Sequence, residues 1–154
     1  MATAQARALV LLEMEEAAGR VRVDANGSLL EFPFRAGTAG MFRSDPPRES
    51  EIESAIDRVE EAVMPLAKQL PRGAALVAGN AATRAVAALA AGTVDVEAVP
   101  VEAVERVFEQ LAMSARRGFW AEGGRMDSST AAGVLILREF MHHLGYGRIE
   151  LPRE

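Results

Sequence analysis

Gly73-Ala-Ala-Leu-Val-Ala-Gly-Asn-Ala-Ala-Thr-Arg-Ala-Val-Ala-Ala-Leu-Ala-Ala-Gly92 is the stretch on which the fold turns. Ala75, Leu76, Val77 and Ala78 form a short apolar run, as expected of a buried strand. Gly79-Asn80 interrupts it, and the alanine-rich segment to Ala91 reads as a helix that Gly92 ends. A strand feeding a helix N-terminus is where α/β proteins usually hold phosphate, because free N–H groups and the helix dipole converge there. Here only Gly79 is present, and small side chains replace the run of glycines that would let backbone meet a phosphate. The architecture points to phosphate handling; the residues point to its weakening.

Upstream, Arg7 to Met14 is rich in Leu and Val and reads as a strand. Arg20-Val-Arg-Val-Asp24 alternates polar and apolar, Asn26-Gly27 is a strong hairpin signal, and Ser28 to Arg35 supplies a third strand in which Pro33 suggests an edge or an irregularity. After a loop through Gly37, Gly40 and Asp45-Pro46-Pro47, Ser50 is placed to cap a helix. Ile52, Ile56, Val59, Val63 and Leu66 carry it through about Leu70, with Pro65 shortening its end. Downstream, Val94 to Val99 is a candidate short extra strand, and Val101 to Ala115 is an amphipathic helix. Arg116 to Arg125 is a loop, and Asp127 or Ser128 caps a last, unusually apolar helix to about Leu144. Arg148 to Leu151 is the final strand. The order β-β-β-α-β-α-α-α-β predicts an α/β protein: one domain spanning 1–154, with a mixed five-stranded sheet and helices on both faces.

Composition narrows the function. A net charge of −5 argues against a general nucleic-acid or anionic-membrane binder. With no cysteine there is no disulfide or thiolate chemistry, and a reducing cytoplasm is the simplest home. The opening MATAQARALVLLEMEE lacks the basic start and long apolar run of a signal peptide, and no window approaches the ~20 apolar residues that span a bilayer.

Four places resemble the second lobe of the exopolyphosphatase and guanosine pentaphosphate phosphohydrolase (Ppx/GppA) family, of the actin-like, ribonuclease-H-like ATPase superfamily. They are Phe32-Pro33-Phe34 leading to Phe42-Arg43-Ser44-Asp45-Pro46-Pro47; Leu76 to Leu89; Val101 to Leu111; and Arg125 through Leu137 with His143-Leu-Gly-Tyr-Gly-Arg-Ile-Glu150. The resemblance implies an actin-like lobe and, for an intact family member, magnesium-dependent phosphoanhydride hydrolysis between two lobes. The departures are specific. Where the family carries an Asp-x-Gly-Gly-Gly-Ser turn, this chain has Glu13-Met14-Glu15-Glu16-Ala17-Ala18, placing carboxylates where phosphate oxygens approach. The second glycine turn is Gly79-Asn80-Ala81-Ala82, with Thr83 as a remaining hydroxyl. The Arg125-x-Asp127 spacing is one residue out of step with Gly133. No catalytic residue is therefore assigned, and no cofactor, magnesium entering only if the lobe is a working one.

Each candidate site has an ordinary structural alternative. Glu13, Glu15 and Glu16 suit a divalent cation, but solvated strand-end charge is the commoner outcome. Asn80, Thr83 and Arg84 could hold an anion on the remnant phosphate turn with Gly79, against plain capping by Asn80. Ser128-Ser129-Thr130 reads first as a cap cluster. His142-His143 point about 100° apart on a helix and do not form a metal pair. Phe119 and Trp120, beside Arg116 and Arg117, are interface candidates; a tryptophan tucked over the core is the alternative. The resemblance covers one lobe, so its exposed face implies a cover: a homodimer or a partner protein.

Overall fold

Val10, Leu12 and Met14 are buried while the alternating Leu9 and Leu11 are only partly so, the two-residue period of a strand whose apolar core lies on one face. They belong to β1 (Leu9–Met14), which pairs antiparallel with β2 (Gly19–Ala25); β2 in turn pairs with β3 (Ser28–Phe34). The computed structural model describes residues 7–153, so the first six residues of the opening stretch lie outside it. Asn26 (φ 54°) and Gly27 (φ 77°) both occupy the left-handed region that a two-residue hairpin turn demands, as the Asn-Gly pair predicts.

α1 (Glu49–Val63) follows, with a 3-10 turn over Met64–Lys68 where Pro65 stops the α-helix. Its cap is not Ser50. The helix starts one residue before Ser50, from Arg48, and the Glu51 carboxylate accepts the Arg48 N–H at 3.1 Å and the Arg43 N–H at 2.6 Å. Those backbone bonds hold the Glu51 carboxyl below its usual range against the opposing effect of burial, which is the larger single influence. Then come β4 (Ala75–Ala78), α2 (Ala81–Ala91), β5 (Ala98–Pro100), α3 (Val101–Arg117), α4 (Ser128–Leu144) and β6 (Arg148–Glu150).

The sheet has six strands in the order β3-β2-β1-β4-β6-β5, parallel at β1–β4 and β4–β6 and antiparallel elsewhere. The five-strand expectation is corrected by β5, the short strand foreseen over Val94–Val99. Only its last two residues and Pro100 find a partner, Val99 lying opposite Ile149. The expectation of helices on both faces is also corrected. The crossovers from β3 through α1 to β4, and from β4 to β6, advance the same way across the sheet, so right-handed connections put their helices on one face. α1, α2 and α3 accordingly all pack against α4, whose residues Ala131–Leu137 and Glu139–Met141 are buried. Among the described residues the other face carries no helix. It carries a charged ladder instead: Arg20, Arg22, Glu13 and Glu31.

Candidate phosphate-turn site

The β1 end, the β4–α2 junction and the α4 start meet at one edge of the helical layer. The main-chain N–H of Met14 donates to Thr83 Oγ1 at 3.0 Å, and the Met14 carbonyl accepts from Asn80 Nδ2 at 2.9 Å. Asn80 Oδ1 accepts the Thr83 N–H at 3.0 Å and the Thr83 hydroxyl at 2.7 Å. Asn80 is thus the α2 cap, as one sequence reading has it, and Thr83 is wholly buried, its hydroxyl both donating and accepting. Arg84 turns away, donating to the Pro152 carbonyl at 2.6 Å. Asn80 and Thr83 thus converge on the turn but bind each other and the strand end, while the Arg84 side chain leaves it.

Gly79 is explained without a ligand. A Cβ there would stand 2.7 Å from Glu13 Cγ and 3.1 Å from the Leu12 carbonyl, so the crowded strand end requires glycine. The β1–β2 turn is likewise closed by protein. Thr38 and Ala39 donate their N–H groups to the Glu15 and Glu16 carbonyls at 3.0 Å, and a Cβ on Gly37 would lie 2.2 Å from the Glu16 oxygen.

The carboxylates do not line this turn as the resemblance implies. Glu13 and Glu15 share a face, as their spacing predicts, and both reach Arg20, at 3.1 and 3.2 Å. Glu13 is buried and also meets Arg22 at 3.5 Å; Glu16 is exposed. The hydrogen bond and negative charge of Glu13 raise the Arg20 guanidinium above its ordinary value. What opens beside the turn is a groove of about 340 Å³ whose wall is mainly apolar, from Met14, Ala82, Ala85, Val86 and Leu89, with the hydroxyl residues Thr38, Ser129 and Thr130 also lining it.

The remaining candidates separate. Asp127 caps α4, accepting the Thr130 N–H at 2.8 Å; bonds from the Thr130 side chain and backbone hold its carboxyl low. Trp120 is half-buried and donates its indole N–H to Asp45, which also meets Arg125 at 2.7 Å. Phe119 next to it is 59% exposed. His142 faces Glu105 at 3.9 Å while His143 meets Glu139 at 2.8 Å, so the two imidazoles, edge-to-face with centroids 5.2 Å apart, serve different carboxylates. Among the described residues no group of three His, Cys, Asp or Glu side chains is placed to hold a metal ion, and no helix is long and apolar enough to cross a membrane. Sequence reasoning missed Asp45 as a tether and Glu139 as a fully buried carboxylate against Arg138, 2.8 Å away. The second had a signal: Arg138-Glu139 interrupts an otherwise apolar helix.

Sheet order, strand directions and the strand-to-helix turn are those of a lobe of the actin-like, ribonuclease-H-like fold. Solved structures agree. A Ppx/GppA enzyme of Aquifex aeolicus superposes with a TM-score of 0.71 at 12% identity, covering 96% of this chain and 54% of the other. An exopolyphosphatase from Cytophaga hutchinsonii gives 0.69 at 15% identity over 94% and 53%, and an exopolyphosphatase-like protein 0.69 at 13% over 94% and 55%. The chain therefore spans about half the length of the structures it resembles. No family model and no curated protein matches the sequence.

Proposed function

We propose that this chain is a non-catalytic relative of the Ppx/GppA phosphatases that works through protein contacts, as a homodimer or with a partner chain, in a reducing cytoplasm and without a metal or cofactor. The observation that carries the reading is the commitment of Thr83 and Asn80. A hydroxyl that accepts from Met14 and donates to Asn80 has no proton left for a phosphate oxygen, and the Asn80 side chain is spent on the strand end and the helix cap. Arg84, the candidate counter-charge at the helix start, is drawn to Pro152, and the adjoining groove, although Thr38, Ser129 and Thr130 line part of it, offers mainly apolar surface and no cation to a phosphate. The exposed Phe119 beside Arg116 and Arg117 is the anchor of the kind that protein interfaces use.

Isothermal titration with polyphosphate, ATP or guanosine pentaphosphate in the presence of magnesium is expected to show no micromolar binding. Micromolar affinity for any of them overturns the reading. One observation favours a second reading: the fold corresponds to about half of each structural neighbour, 51–55% of their lengths. A hydrolase lobe completed by a first lobe or a partner chain would have that extent, and magnesium-dependent phosphate release on adding the complement would establish it.

A further inference from the structure

The two edges of the sheet are finished differently. β5, at one edge, has three residues and ends on Pro100, which discourages further pairing. β3, at the other, has seven residues, and among the described residues none of its outward main-chain groups is hydrogen-bonded. Leu29 and Leu30, one on each face of this edge, are 51% and 56% exposed.

The hairpin dictates which groups point outward. A two-residue turn at Asn26-Gly27 makes Ala25 and Ser28 exchange both main-chain bonds, and bonded pairs then recur at Val23–Leu30, Val21–Phe32 and Gly19–Phe34. Leu29, Glu31 and Pro33 alternate with them and turn their main-chain groups away from β2. Pro33, lacking an N–H, thus leaves the β2–β3 ladder whole and closes one end of the edge. The outward donors are the N–H groups of Leu29 and Glu31, and each of these residues also offers its carbonyl.

That arrangement is self-complementary. We propose that β3 pairs antiparallel with β3 of a second copy of this chain, about a two-fold axis at Leu30. In this register Leu29 lies opposite Glu31 of the second copy and Glu31 opposite its Leu29, giving about four main-chain hydrogen bonds. Leu30 meets its own counterpart on the helix-bearing face, in a non-bonded pair with Cα atoms about 4.5 Å apart, and the two exposed side chains cover each other. Pro33 falls opposite Gly27, beyond the bonded pairs. The inference rests on the protein-contact reading in that it names the partner; it asks nothing of the phosphate turn.

Sedimentation velocity on the full chain, from about 10 to about 300 µM because an edge contact of this size is a weak one, is expected to show a concentration-dependent dimer. Glu31→Pro deletes an outward N–H while sparing the β2–β3 ladder; it is expected to give a monomer with an unchanged circular dichroism spectrum. The chain has no cysteine, so engineered ones report cleanly. Leu30→Cys is expected to form a covalent dimer under mild oxidation. Leu29→Cys is not, because its counterpart sits diagonally, about 7–8 Å away. A wild-type monomer throughout that range, equal cross-linking of both cysteine variants, or a folded Glu31→Pro protein that dimerises like wild type overturns the proposal. Polyphosphate binding would leave it standing, and a monomer would leave the phosphate result standing, so the two failures are told apart.

Discussion

Thr83 shows how one side chain decides the character of the turn. Its hydroxyl joins Met14, the last residue of β1, to the first turn of α2, two points 69 positions apart in sequence. Replacing it with valine keeps the volume and removes both bonds, leaving the buried Met14 N–H without a partner. Thr83→Val is expected to lower unfolding stability by about 2 kcal/mol, read from urea denaturation, with Thr83→Ser losing less because it keeps the hydroxyl. At this scale the sequence gives Asn80 as a cap, since its neighbours alone place it between strand and helix. It does not give the partner of Thr83, which is a matter of distant chain segments meeting. For the same reason Gly79 reads as half of a phosphate loop until Glu13 and Leu12 are seen crowding it.

Among the elements, α4 is the one on which the others rest. Its run Ala131–Leu137 is buried on all sides, which its near-continuous apolar sequence announces. The cost of such a helix is that its ends and its polar residues need partners: Asp127 at the start, and Arg138 and His143 around Glu139 further on. The Asp127 carboxyl is held low in the folded protein, so its contribution is present above the ordinary aspartate range, near about pH 3.9, and is lost as pH falls through the lower folded value. Asp127→Ala is expected to cost about 1 kcal/mol at neutral pH, and chemical denaturation at a series of pH values should show its deficit closing as the solution is acidified below about pH 4. Element boundaries reflect the same logic. β5 is shorter than its apolar sequence because a strand is only as long as its partner, here the three residues of β6.

For the whole molecule, the segment carrying Phe119 and Trp120 is fixed from across the chain. Asp45 accepts from Trp120 and pairs with Arg125, tying the loop after α3 to the loop before α1. Asp45→Ala releases both at once. Because the groups are largely exposed, the stability loss is expected to stay within about 1 kcal/mol, while emission from the single tryptophan moves to longer wavelength and becomes more accessible to iodide. The division between covered and charged faces of the sheet is likewise a property of the whole. Alternation in β1 and β2 indicates two unlike faces, but the direction of successive crossovers decides that all four helices share one of them.

By itself the sequence determined the class of fold, the strand-to-helix turn, the Asn26-Gly27 hairpin and Asn80 as a cap. Each of these depends on residues within a few positions of one another, where backbone sterics and side-chain period act directly. Only the tertiary structure decided that Glu13 and Glu15 face Arg20 instead of the phosphate turn, that Thr83 is consumed by Met14, and that the helices gather on one side. Those outcomes depend on which distant groups come within a few ångströms after the crossovers are made, and no local pattern carries that information.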